Sequence, residues 1–224
     1  MAQESRRALT PWIGVSIFLT LSCARADLVT NGSFETPIVA ASIGYEHRNG
    51  AELPGWTIFS TYLGTVQFNT TYDPVSNGSQ AVQIEVPGDW ISQTFATVDG
   101  AVYRLSFDMS AFTGYGGPGL GGAPCPCASI VDVTAGAANE TFSSSSLGYV
   151  TQTLDFIAGA TTTIRFMNPS TPSAIGNYPH IDNVSVVLTT PVPEPDTYAI
   201  LLAGLAIVGA RNRMLRRVPL KKAA

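Results

Sequence analysis

Residues 101–110 set Tyr103, Leu105, Phe107 and Met109 in strict alternation with Arg104, Ser106 and Asp108. A period of two puts the apolar set on one side of an extended chain and the polar set on the other, as in a strand with one buried face. The pattern recurs. Residues 80–86 set Val82, Ile84 and Val86 against Gln83 and Glu85. Residues 149–157 place Val150, Leu154 and Phe156 on one face, 161–167 offer Ile164 and Phe166, and 181–188 offer Val184, Val186 and Leu188. Turn chemistry separates these runs at Asn77-Gly78, Pro87-Gly88-Asp89, Asp99-Gly100 and Ala158-Gly159. Asp99-Gly100, between 91–98 and 101–110, predicts a β-hairpin. No stretch of 27–190 has a helical period. The pattern therefore predicts an all-β domain, a two-sheet antiparallel β-sandwich of jelly-roll type. Residues 112–126, dense in Gly and Pro, read as a loop.

Charge narrows the function. Over 27–190 the only basic residues are Arg48, Arg104 and Arg165, against thirteen Asp or Glu. So acidic a domain repels phosphate backbones, which excludes nucleic acid as a partner. An acidic surface suits cations and neutral polymers such as glycans. The chain has two histidines, His47 and His180, and neither a G-x-S-x-G elbow nor an H-E-x-x-H zinc motif. His47, in Glu46-His47-Arg48, reads as a surface-loop residue, and His180 as a structural residue opening the last strand. With so little acid–base equipment the expectation is a protein that is not an enzyme. A carboxylate pair for glycoside hydrolysis would depend on the fold alone.

Both ends are addresses. Arg6 and Arg7 precede an apolar run over 12–21, followed by Ala24-Arg25-Ala26. A positive start, a short apolar core and an A-x-A site predict a secretory signal peptide over 1–26, cleaved after Ala26. The run is too short to span about 30 Å of hydrocarbon. Cys23 does not make a lipoprotein signal, because Leu21 stands one position too near it. At the other end, Pro193, Glu194 and Pro195 lead into an apolar or small-residue run over 197–210. Basic residues from Arg211 to Lys222 follow. A short apolar helix with this cluster beyond it stops in a membrane with the cluster cytoplasmic.

The order Pro-Glu-Pro, apolar helix, basic tail resembles the PEP-CTERM sorting signal of Gram-negative bacteria. The resemblance implies export across the inner membrane, a membrane-embedded exosortase that processes the tail, and display at the surface or in an exopolysaccharide matrix or biofilm. Residues 218–224 extend past the basic cluster, where that family usually ends. Three parts follow: a signal peptide over 1–26, a sandwich domain over 27–190, and a sorting or anchoring segment over 191–224.

Within the domain, Leu28-Val29-Thr30-Asn31-Gly32-Ser33-Phe34-Glu35 is followed by Leu53-Pro54-Gly55-Trp56-Thr57 and Ile91-Ser92-Gln93-Thr94-Phe95. Tyr103-Arg104-Leu105-Ser106-Phe107 and Ile181-Asp182-Asn183-Val184-Ser185-Val186 complete the series. This order resembles the galactose-binding-like jelly rolls of carbohydrate-binding modules. It is most similar to a family of unknown function shared by plant cell-wall proteins and bacterial exported proteins. In such modules the Glu after Asn-Gly-x-Phe and the Asp of the last strand help hold a structural calcium, so the resemblance implies Glu35 and Asp182 as ligands of one Ca²⁺. The bland alternative makes both solvated strand-edge carboxylates. Phe34 and Trp56 read as core.

Carbohydrate sites combine flat aromatic platforms with a few amide and carboxylate hydrogen-bonders. The candidates are Tyr62, Trp90 and Tyr178 as aromatics, with Gln83 and Glu85 pointing off the core face. Tyr45, Tyr72 and Tyr115 are further aromatics in loop-like sequence. Cys125-Pro126-Cys127 remains after signal cleavage in an oxidising compartment. A disulfide there closes a very small ring, and a bond to another chain is the alternative. The reading is a non-catalytic exported surface or matrix protein that binds or scaffolds extracellular polysaccharide. The alternatives are a purely structural or adhesive domain and a polysaccharide hydrolase.

Overall fold

The computed structural model describes residues 26–111, 128–169, 178–189 and 202–207. Among them run β1 (Tyr45–Arg48), β2 (Thr57–Phe59), β3 (Thr65–Asn69), β4 (Gln80–Gln83), β5 (Trp90–Ala96) and β6 (Val102–Ser110). β7 (Ser129–Ala135), β8 (Ala138–Ser144), β9 (Val150–Ile157), β10 (Thr161–Met167) and β11 (His180–Leu188) follow. One sheet has the order β1-β3-β4-β11-β6-β9, the other β2-β5-β10-β7-β8, and every pairing is antiparallel. This is the expected two-sheet sandwich.

The core lies between the sheets. Tyr103, Leu105, Phe107 and Met109 of β6 all point into it, as the alternation requires, and meet Ile91, Val133 and Phe166 from the other sheet. Each such side chain removed from water stabilises the fold by about 1.5–3 kcal/mol. Phe34 and Trp56 are core as expected, at 0% and 2% exposure, with ring centroids 5.4 Å apart. The Trp56 indole N–H reaches the Asn31 carbonyl at 3.2 Å, so its one polar atom is satisfied on the way in.

The hairpin expected at Asp99-Gly100 does not form. The chain does reverse there, with Ala101 N–H on the Val98 carbonyl at 3.1 Å and Gly100 at φ +74°. Yet β5 pairs with β2 and β10, whereas β6 pairs with β11 and β9 in the opposite sheet. The turn is a crossover between sheets. Turn residues specify a local reversal, and only the non-local ladders decide whether the two arms then pair.

Residues 80–86 yield a strand that stops at Gln83. Beyond it the Ile84 N–H bonds the Pro179 carbonyl, and the Asn168 side-chain amide takes the carbonyls of Ile84 and Glu85. Those groups are lost to any ladder. His47, read as a loop residue, lies half-buried in β1. Residues 27–32 run beside β11, through Leu28 N–H to Val186 O at 3.0 Å and Val184 N–H to Gly32 O at 2.9 Å.

Residues 202–207 are helical. Among the described residues no helix is long and apolar enough to cross a membrane. The signal segment with Ala24, the Cys125 and Cys127 pair, Tyr115, Pro193, Glu194, Pro195 and most of 197–222 lie outside the described residues. Ala26 is described and exposed.

Candidate functional site

Side chains facing outward from the five-stranded sheet form rows across its ladders. One row runs Phe59, Trp90, Met167, Asp132, Thr141, each residue the cross-strand partner of the next. The adjacent row runs Thr57, Ser92, Arg165, Thr134, Asn139. Phe59 and Trp90 stack with centroids 5.4 Å apart and planes 13° from parallel. Phe59 is 46% exposed and Trp90 half-buried. The stacked pair forms an apolar patch on the outer face of the sheet, with Phe59 its exposed part.

A buried network holds that platform. Asp89, fully buried, accepts from Thr61 N–H at 2.8 Å, Thr61 Oγ1 at 3.0 Å and Ser60 Oγ at 2.5 Å. Ser60 Oγ in turn accepts from Tyr62 and Gly64 N–H. The loop carrying Tyr62, 73% exposed, is thus tied to the turn that leads into Trp90. Asn168 closes the other side, donating its N–H to Asp89 O at 3.0 Å and accepting from Gly88 N–H at 2.8 Å. Tyr178 is half-buried beside the same turn, one residue before the Pro179 that bonds Ile84. Trp90 and the loop of Tyr62 are therefore joined through Asp89.

Gln83 and Glu85 are placed differently from the open, outward position expected of them. Gln83 is buried, with its amide N–H on Glu85 Oε1 at 3.1 Å and its carbonyl oxygen 2.8 Å from His180 Nε2. His180 is fully buried, its ring 4.7 Å from that of Phe68, and burial pushes its pKa down to about 3. It is neutral at ordinary pH. Phe68, Val66 and Ala81, with Tyr72 and Val75 against them, form a second apolar cluster on this outer face. That cover takes Gln83 out of solvent. Glu85 stays half-buried, and desolvation raises its carboxyl above the usual range against the opposing pull of His47.

Glu35 and Asp182 are brought to one loop. Glu35 Oε1 accepts from the N–H groups of Ser79 and Gln80 at 2.8 and 2.9 Å. Asp182 accepts from Ser76 and Asn77 N–H through Oδ2 and from Asn183 N–H through Oδ1. A calcium cage needs converging oxygens. Here the carboxylates face amide N–H donors, and among the described residues no group of three His, Cys, Asp or Glu is placed to hold a metal. The pair holds the loop between β3 and β4 at two points. Its visible work is to fasten the 76–80 loop over the sheet.

Residues 27–187 match the family described as protein of unknown function DUF642. The chain belongs to this family. Residues 191–217 match the PEP-CTERM protein-sorting motif, the mark of an exported protein sorted to the surface in Gram-negative bacteria. No curated protein matches the sequence. Among solved structures, the DUF642 domain is similar in fold to TmCBM61, solved in complex with β-1,4-galactotriose. Identity there is 14%, coverage 73% of this chain and 99% of that chain, and the TM-score 0.46. It is also similar to a family 35 carbohydrate binding module from Clostridium thermocellum (18% identity, 65% and 98% coverage, TM-score 0.42). A third is the xylan-binding CBM22-1 domain of Paenibacillus barcinonensis Xyn10C (12% identity, 65% and 92% coverage, TM-score 0.42).

Sequence pattern missed Phe59, Asp89, Asn168 and Arg165. Asp89 carried a signal only as part of a Pro-Gly-Asp turn. Nothing local announces that Phe59 and Trp90 become cross-strand neighbours.

Proposed function

We propose that this is a non-catalytic surface or matrix protein whose DUF642 domain binds extracellular polysaccharide on the Phe59–Trp90 face. The observation that carries this reading is the stacked pair, Phe59 exposed and Trp90 half-buried, on two hydrogen-bonded strands. Sugar rings pack their C–H faces on such platforms, and neighbouring hydroxyl and amide groups fix orientation. Thr57, Ser92 and Thr134 supply hydroxyls one row away, and the loop carrying Tyr62 is tied to the turn before Trp90. Gln83 and Glu85 act behind the face as positioning residues for the 84–89 turn. The tail delivers the domain: an exosortase-type membrane protease recognises Pro193-Glu194-Pro195 and processes the segment beyond it.

Affinity electrophoresis of the full-length chain against matrix polysaccharides tests the binding claim. Saturable retardation that Trp90→Ala reduces about tenfold, with the fold intact by circular dichroism, is the expected result. Unchanged retardation in that variant would refute the site. Intact mass of the native protein tests the sorting claim, which predicts a species beginning at Asp27 and ending near Pro195.

A further inference from the structure

We infer that the polymer bound on this face is acidic, its sugar rings carrying carboxylates that Arg165 recognises. This rests on the glycan-binding reading above and specifies its ligand class. The domain has three arginines among thirteen carboxylates. Arg48 is committed to Glu46 at 2.6 Å and Gln67 at 2.8 Å. Arg104 grips Asp155 with two hydrogen bonds of 2.7 and 2.8 Å. Arg165 alone makes no ion pair or hydrogen bond among the described residues.

Its place makes that isolation informative. Arg165 sits half-buried on β10, the central strand of the five, with Ser92 and Thr134 as its cross-strand neighbours. Both side chains are short. Trp90 pairs with Met167, two residues along the same face. Arg165 and Trp90 are therefore diagonal neighbours, about 7–8 Å apart at the backbone. A ring stacked on Trp90 would carry its substituents into reach of the guanidinium. The nearest carboxylate on the face, Asp132, is occupied by Thr141 Oγ1 at 2.6 Å and forms no bridge to Arg165.

Half-buried Arg165 thus keeps its charge with no carboxylate partner among the described residues. The planar fork of arginine matches a carboxylate through two parallel hydrogen bonds. A neutral sugar would leave that charge unanswered. The domain's overall negative charge opposes an anionic polymer at long range, but that field is screened beyond about 8 Å at physiological salt, while the contact itself is not.

The test uses full-length chain, two polyuronates (polygalacturonate and alginate) and their carboxyl-reduced forms, in 0.15 M salt as set by the screening length. Wild type is expected to bind at least one polyuronate about tenfold more tightly than its reduced form. Arg165→Gln should bring that ratio to about one while keeping binding to the reduced polymer, and Arg165→Lys should restore part of it. Trp90→Ala should weaken both. Equal binding of each acidic polymer and its reduced form by wild type, or a preference that persists in Arg165→Gln, overturns the inference and leaves the platform standing. No saturable binding to any of the polymers overturns the inference together with the reading beneath it.

Discussion

Asp108 on β6 and Asp182 on β11 are direct cross-strand partners, two buried carboxylates in one register pair. Like charges so placed repel, and hydrogen bonds make the arrangement tenable. Ser76 serves both, its hydroxyl donating to Asp108 and its N–H to Asp182 at 2.8 Å. Burial works against the charge on Asp108, but the side chains of Ser76, Thr151 and Asn183 outweigh it and hold that carboxyl below its ordinary range. On Asp182 desolvation wins over three backbone N–H groups, with Asp108 adding to it, and the pKa is pushed up to about 7.

This gives a pH dependence of stated sign. The folded pKa of Asp182 exceeds its ordinary value of 3.8, so folding favours its protonated form. That contribution is complete below 3.8 and is lost as pH rises toward about 7. Glu85, also raised, acts in the same direction. Asp108 acts oppositely, its contribution present above 3.8 and lost as pH falls below it. Buried His180, its pKa pushed down to about 3, opposes Asp182 over this range, so the test is differential: Asp182→Asn should make the slope of melting temperature against pH more positive than in wild type. Thermal melts across that range check it, and an unchanged slope in the variant would exclude Asp182 as the cause.

Gly32 lies where residues 27–32 meet β11, and a Cβ built there overlaps the Val184 carbonyl oxygen. The neighbour is backbone and cannot step aside. Gly32→Ala should destabilise the domain by about 1–3 kcal/mol, read from denaturant unfolding. A neutral result would show that the N-terminal segment is not docked on β11.

Removing the buried Asp89 carboxylate strips three donors of their acceptor. Asp89→Ala should cost about 2 kcal/mol, because hydrogen bonds to charged groups are worth about 1.5–3 kcal/mol each and the exposed loop recovers part from water. Hydrogen exchange should accelerate at residues 60–64 before anywhere else. Uniform protection with that loop unaffected would contradict the anchoring role.

Chelation separates the two roles open to Glu35 and Asp182. Fastening the 76–80 loop through N–H groups needs no metal, so EDTA should leave the melting temperature unchanged. Stabilisation that grows with added calcium would show an ion bound to the native state. Glu35→Gln, by contrast, should destabilise with or without calcium, since it removes the charge that Ser79 and Gln80 N–H groups meet.

How far the sequence reaches differs from element to element. In β9, β10 and the first half of β6 one face meets the core and the other meets water, so alternation marks both the strand and its inward side. β3 is different: Thr65, Val66, Gln67, Phe68 and Asn69 are all buried, with apolar cover on one face and buried amides on the other. With no solvent side there is no period to read. β8, Ala-Asn-Glu-Thr-Phe-Ser-Ser, places only Phe142 and Ser144 inside, too few to signal. Gln83 looked outward by parity and was outward, yet a loop and an apolar cluster cover that face.

By itself the sequence determined the C-terminal sorting motif, the strand chemistry and most of the core, because these depend on composition and spacing within a few residues. Pro-Glu-Pro, the arginine run and the period of two are local, and their physics is local. Tertiary structure alone decided which sheet each strand joined and hence who stands beside whom. It set Phe59 against Trp90, Asp108 against Asp182, and Arg165 between two short hydroxyls with no acidic partner among the described residues. Cross-strand neighbours lie tens of residues apart in the chain. Their juxtaposition is the outcome of burying two apolar faces against each other, a global minimum that no short stretch of sequence encodes.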